Sequence, residues 1–214
     1  MEIEVEKEAV KLGISISEGT LEDTNVMRSR KDVIDLLLKD LKKEIRERIT
    51  LNELRYDPII RALRDLYWRI GIDPTKTRPS SEALVRRVFR KGLPMINNLV
   101  DAGNLASAMS FIPIGLYNMD AIEGNPCIGL TKGEEIFRGI GGKDQILESG
   151  IPVLTDDAGV MHLYPHRDSM RTRITEDTNS VLMVSCGARG IRKRQLQEAL
   201  GYVRHYCSEL EVWR

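Results

Sequence analysis

The stretch from Thr155 to Thr178, TDDAGVMHLYPHRDSMRTRITEDT, carries an acidic turn, two histidines, an Asp-Ser pair and three arginines. So many hydrogen-bonding side chains between two apolar runs suit a site that grips a polar substrate better than they suit a core. Within it, His166-Arg167-Asp168-Ser169-Met170-Arg171-Thr172 is the densest segment. Read as extended chain, Arg167, Ser169 and Arg171 share one face and His166 and Asp168 the other. One face then offers cations and a hydroxyl, the other an imidazole beside a carboxylate. A surface loop held by Asp–Arg pairs explains the same residues equally well.

Other candidates are weaker. His162 and His166 have the H-x3-H spacing of a helical metal pair, but they fall in or just after a strand and no further ligands stand near them, so no metal and no cofactor is expected. Gly139-Ile-Gly-Gly-Lys143 lacks the spacing of a phosphate loop, and Asp144 follows where Ser or Thr is needed; a hairpin turn accounts for it. Ser169 has no G-x-S-x-G elbow. Cys127, Cys186 and Cys207 form no CxxC pair, so reduced thiols in apolar packing and a cytoplasmic setting are expected. Asn97-Asn98 opens a helix; one asparagine serves as its cap, and the second is free to face a ligand.

The elements that must position these groups follow from periodicity. Residues 2–16 alternate weakly, as one or two strands. Lys31 to Ile49 repeats at helical period through Ile34, Leu37, Leu38, Leu41, Ile45 and Ile49. Asp57 and Pro58 open a helix that Gly71 closes, and its stripe is Ile59, Leu63, Leu66 and Ile70. Ser80 or Ser81 starts the next, packed through Leu84, Val85, Val88 and Phe89, and Asn97 to Met109 forms another. After Phe111 short apolar runs take over: 112–117, 127–130, 151–154, 160–163 and 181–185, with Asp156–Gly159 as a hairpin loop. A helix over about 191–210 ends the pattern. Helices first, strands next and a closing helix indicate an α+β fold rather than alternating βαβ units.

Composition limits the functional classes. The chain has 214 residues, 42% apolar and 30% charged, with a formal net charge of zero. That excludes a protein that coats long nucleic acid. The zero is uneven: residues 61–91 hold nine Lys or Arg against three acids, and 164–194 hold seven against three. Local basic faces of this kind suit a short polyanion such as one end of an RNA. No apolar run reaches membrane-spanning length, and the acidic start MEIEVEKEAV lacks the layout of a signal peptide.

Four segments in order, DPTKTRPSSEALVRR, LPMINNLVDAGNLAS, IPIGLYNMDAIEG and TDDAGVMHLYPHRDSMRTRITEDTNSVL, cover about residues 73–190. Together they make the chain resemble the B3/B4 domain, the editing module of the phenylalanyl-tRNA synthetase β subunit, and most closely the free-standing proteins of that family. The resemblance implies a central β structure flanked by helices, with residues 1–72 as a strand and helical region packed on a B3/B4-like domain over 73–214. It also implies an ester hydrolase that deacylates mischarged aminoacyl-tRNA at the 3′ end; the synthetase module removes tyrosine from the tRNA for phenylalanine. Its Asn-Asn segment and pocket carboxylate fall on Asn97, Asn98 and Asp168. The family histidine falls on Gly115, and the segment from Met161 to Ile174 is longer than in the synthetase.

The expected site therefore has Asp168 or His166 positioning water, with His166 replacing the missing histidine. Asn98 and Arg171 orient the ester or ribose, and Asn97, Arg167, Ser169 and Thr172 line the site. Ile114, Gly115 and Tyr117 hold the amino acid. Arg86, Arg87, Arg90 and Lys91 meet acceptor-stem phosphates. The implied partners are tRNA, the amino acid moiety, and either a second copy of the chain or a synthetase. Two other readings use the same residues: a non-catalytic tRNA- or amino-acid-binding module, and a protein whose helices over 31–70 dock another chain beside a vestigial pocket.

Overall fold

The computed structural model describes residues 1–213; Arg214, the last residue of the expected 73–214 domain, lies outside them. Its elements in chain order are β1 (Glu4–Val5), α1 (Lys7–Lys11), β2 (Ser15–Leu21), α2 (Lys31–Arg48), α3 (Pro58–Arg69), α4 (Ser80–Arg90), α5 (Asn98–Ser110), β3 (Ile114–Asn118), β4 (Cys127–Leu130), β5 (Ile136–Arg138), β6 (Asp144–Ile146), β7 (Pro152–Asp156), β8 (Gly159–Leu163), β9 (Arg167–Asp168), β10 (Val181–Gly187) and α6 (Lys193–Glu209). The fold is α+β.

The centre is a three-stranded antiparallel sheet, β2-β10-β3. All seven residues of β10 are buried, so both its faces are covered. Val181 and Met183 face a helical layer built from α2, α4, α5 and α6. Leu182, Val184 and Cys186 face a second sheet, β1-β4-β7-β8-β9, across a core that includes Tyr117, Ile128, Leu154, Met161 and Tyr164. The period of two along one strand thus assigns alternate residues to two different cores. The β5–β6 hairpin closes a smaller cluster of Phe137, Leu147, Val153, Val160 and Leu163 on the far side of that second sheet. The N-terminal segment enters both sheets: β1 pairs with β4 and β2 with β10.

Local chemistry explains the helix starts. Asp57 accepts hydrogen bonds from the Ile59 and Ile60 N–H groups, with Pro58 in the first turn, and the buried stripe of α3 is Ile60, Leu63, Leu66 and Tyr67. Asn97 caps α5 through the Val100 N–H. Serine does not cap α4, which follows Pro79 directly; Ser80 Oγ instead donates to the Pro165 carbonyl at 3.5 Å. Glu82, fully buried, is held by Arg64 at 3.0 Å and Arg86 at 2.9 Å, which ties α3 to α4.

Asn98 fastens α5 to the rest. Its Oδ1 accepts from Met27 N–H and Leu99 N–H, each at 3.0 Å, and its Nδ2 donates to the carbonyls of Asn25 at 3.0 Å and Leu210 at 3.4 Å. With 1% exposure and every bond made inside the fold, it presents nothing to a ligand. The expected catalytic role of Asn98 is therefore replaced by a structural one. Asn98→Ala strands several buried backbone groups and should lower unfolding free energy by about 2–4 kcal/mol in urea titration.

Candidate functional site

The β8–β9 hairpin sets the register His162↔Asp168, and the two side chains meet at 2.8 Å between Nδ1 and Oδ1. A carboxylate only accepts, so the imidazole carries its proton on Nδ1. His162 is 5% exposed and sits edge-on to Tyr117 and Tyr164, with ring centroids 6.1 Å away in each case. Its Nε2 and the Tyr117 hydroxyl are buried without hydrogen-bond partners among the described residues. Burial first, then the nearby Asp168 carboxylate, push the Tyr117 pKa well above its ordinary value, so the phenol keeps its proton.

Asp168 also opens on the other side. With 36% of its side chain exposed, it reaches a groove of about 310 Å3 between α5 and β3. Val100, Gly103 and Asn104, spaced i, i+3 and i+4, bring the helical wall, and Ile96 joins it from the segment that leads into α5. Ile114 and Leu116 bring the strand wall, and Ile140, Arg173 and Ile174 complete it. A Cβ on Gly103 would stand 2.7 Å from Leu116 Cδ1, so glycine lets helix and strand approach. The groove is apolar except for Asp168, Asn104 and Arg173. Among the described residues no side-chain hydrogen bond uses the Asn104 amide, and Arg173 donates one to the Met170 carbonyl at 2.8 Å. A groove of this kind has the lining to accept an apolar side chain beside a single carboxylate.

The expected residues separate into those that meet here and those that do not. Asp168 and Ile114 line the groove. Gly115 and Tyr117 point to the opposite face of β3, and the Tyr117 hydroxyl fills the space a Cβ on Gly115 would need. His166 does not pair with Asp168. It follows the Tyr164-Pro165 turn and packs edge-on to Tyr67, centroids 6.0 Å apart, with its Nδ1 buried and unpartnered among the described residues. Burial, then the charges of His162 and Arg167, push its pKa down to about 4 from 6.5. Asn97 is engaged as a cap.

The arginine face also divides, because β9 is only two residues long and the alternation stops there. Arg167 is exposed and lies over Gly139 and Gly142, whose missing side chains leave room for its guanidinium. Ser169 is buried, accepting from the Arg171 N–H at 3.2 Å. Arg171 is bound to the Asp156 carboxylate and the Ala121 carbonyl, which fixes the β7–β8 turn rather than a ligand. Thr172 is fully buried, its carbonyl accepting from Asn118 N–H at 2.9 Å. On α4, Arg87, Arg90 and Lys91 are exposed, whereas Arg86 is committed to Glu82. His162, Asn104, Leu116 and Arg173 had no expected site role. Asn104 has a legible signal: it is the polar residue at the i+4 position of the Val100–Gly103 face of α5.

An α+β domain of two packed sheets under a helical layer, with one carboxylate-bearing apolar groove at the edge of the central sheet, is the class that fold and site define. Residues 62–207 match the family model described as B3/4 domain, and the chain belongs to that family. The phenylalanine–tRNA ligase β subunit of Fusobacterium nucleatum is 28% identical over 112 residues, 52% of this chain and 14% of that protein. The β subunit of Tropheryma whipplei is 25% identical over 124 residues, 58% of this chain and 13% of that protein. The chain thus spans about a seventh of the length of these curated relatives. A solved N-terminal fragment of the phenylalanyl-tRNA synthetase β subunit from Pyrococcus horikoshii shares the fold, with TM-score 0.51 and 13% identity over 98% of this chain and 51% of that one.

Two outcomes test this geometry. Gly115→Ala drives a methyl into the buried Tyr117 hydroxyl and should cost about 3 kcal/mol; in a Tyr117→Leu background the same change should cost about 1 kcal/mol or less, giving a clear coupling in a double-mutant cycle. His166 has a folded pKa below its unfolded one, so its contribution is complete above pH 6.5 and is lost as pH falls toward 4. The stability difference between wild type and His166→Phe should therefore change by roughly 3 kcal/mol over that window, read from urea midpoints at each pH.

Proposed function

We propose that the groove binds the aminoacyl ester at the 3′ end of a mischarged tRNA and hydrolyses it in trans. The observation that carries this reading is the Asp168 carboxylate, fixed by His162 on one oxygen and open on the other to an otherwise apolar groove. Membership of the B3/4 family and the likeness to phenylalanine–tRNA ligase β subunits supply the tRNA part of it. The chemistry asked of the site is modest, because an aminoacyl ester is already activated.

In this reading water held by the free Asp168 oxygen attacks the ester carbonyl carbon, and the carboxylate takes up the proton. Asn104 and Arg173 stand on the groove walls as donors to the oxygen that gains charge. Collapse of the tetrahedral intermediate breaks the bond to the ribose oxygen, which receives a proton and leaves as the free terminal hydroxyl. The Ile96, Val100, Ile114, Leu116, Ile140 and Ile174 side chains favour an apolar amino acid and exclude bulk water. His162 is a positioning residue: it acts through Asp168 and does not meet substrate.

Purified protein and a panel of mischarged tRNAs test the proposal. Asp168→Asn should lower kcat for deacylation by about 10²–10⁴-fold with KM within a few-fold of wild type. Asn104→Ala should lower kcat by roughly 10²-fold, as loss of an oxyanion donor does. His162→Phe keeps the ring packing but not the bond, and should lose about 10–100-fold in kcat, with part recovered in His162→Gln, which can still donate to Asp168. A wild-type protein that binds charged tRNA without turnover would instead make this a binding module.

A further inference from the structure

Beyond the ester groove, the helix that precedes it carries a second concavity. Lys76, Arg78, Arg86, Arg87, Arg90 and Lys91, with Ala83, line a groove of about 400 Å3. Ala83, Arg86, Arg87 and Arg90 fall at i, i+3, i+4 and i+7, so they share one face of α4; Lys76 and Arg78 come from the turn that enters it. The acid on this helix, Glu82, is buried and already surrounded by Arg64, Arg86 and, at 3.8 Å, Arg78. It therefore supports the arginines from below, Arg78 at the longest distance, and leaves the exposed Lys76, Arg87, Arg90 and Lys91 without a carboxylate among the groove's lining residues.

We infer that this groove is a phosphate-binding site for the backbone of RNA. Five exposed cations against no exposed carboxylate in its lining, on a chain whose net charge is zero, create a local field out of proportion to the whole molecule. Guanidinium groups dominate the lining, and their planar forks suit paired phosphate oxygens. A membrane surface fits less well, since Ala83 is the one apolar residue there and interfacial binding needs large apolar side chains beside the cations. The helix is also placed to serve the first groove: Ser80, at its start, bonds the β8–β9 turn that carries His162 and Asp168, and its end leads through residues 91–97 into α5. That the RNA is the acceptor end of a tRNA rests on the proposed function; the phosphate site does not.

The experiment uses the whole chain and an uncharged, fluorescently labelled RNA hairpin of acceptor-stem length, with anisotropy measured across a salt series. The Arg87→Ala/Arg90→Ala/Lys91→Ala variant leaves Glu82 and its partners intact, and thermal melting confirms its fold. It should bind at least tenfold more weakly, and the slope of log affinity against log salt should fall by about 2–3, close to 0.9 for each phosphate no longer neutralised. An unchanged slope and affinity, or no hairpin binding by wild type, would overturn the inference. So would binding to phosphatidylserine vesicles that matches binding to the hairpin and is abolished in the same variant. Failure of the deacylase proposal alone leaves a distinct signature: RNA binding through α4 by the wild-type chain with no hydrolysis of charged tRNA.

Discussion

Burial of β10 on both faces is the constraint from which the rest follows. A strand with no exposed residue needs a partner layer above and another below, and this chain supplies helices on one side and a second sheet on the other. Its neighbour β3 then lies between the same two layers but at the edge of the sheet. Alternate residues of β3 inherit different surroundings. Ile114 and Leu116 face α5 and form the floor of the groove, while Gly115 and Tyr117 face the histidine cluster. Asp168 stands beside that edge, which is why one carboxylate can bond a buried imidazole and still reach a ligand.

Polar residues are plentiful here, and most are consumed in holding the framework. Asp156 engages Arg171 and the Ala158 and Gly159 N–H groups of its own turn; Glu82 gathers Arg64 and Arg86; Asn98 serves three backbone segments. Each such group is buried with partners, as a low-dielectric interior requires. What is left over stands out by subtraction. The second oxygen of Asp168, the Asn104 amide and the cations of the α4 groove have positions fixed by the fold and few or no duties within it.

Most elements were legible because their periodicities are strong. The stripe of α2, the Asp57 cap, the hairpin at Asp156–Gly159 and the runs of β4, β7, β8 and β10 all follow from local pattern, whereas α3 buries Ile60 and Tyr67 where Ile59 and Ile70 are expected. The five-residue α1 was hidden inside what reads as weak alternation, since one turn of helix has too little period to register. The site was harder to read because it depends on register. His166 is two residues from Asp168 and looks like its partner; the hairpin instead folds His162, six residues away, directly across from it. Asn97-Asn98 draws attention as a pair, yet both serve the helix, while Asn104 looks like one polar residue in an apolar run until its helical face is counted.

The exchange at Gly115 explains how the resemblance and the geometry can both hold. Where the resemblance to the synthetase module implies a histidine, this chain has no side chain, and the space is taken by the hydroxyl end of Tyr117 two residues further along the same face. With Tyr117 placed as it is, that volume has no room for a side chain at 115. The replacement is chemically partial. A phenol held protonated by burial cannot take up a proton as imidazole does. In the proposed reaction base chemistry then falls on Asp168, one of whose oxygens is anchored by His162. The cluster behind β3 meets the groove through the His162–Asp168 bond, and the groove in front has mostly apolar walls.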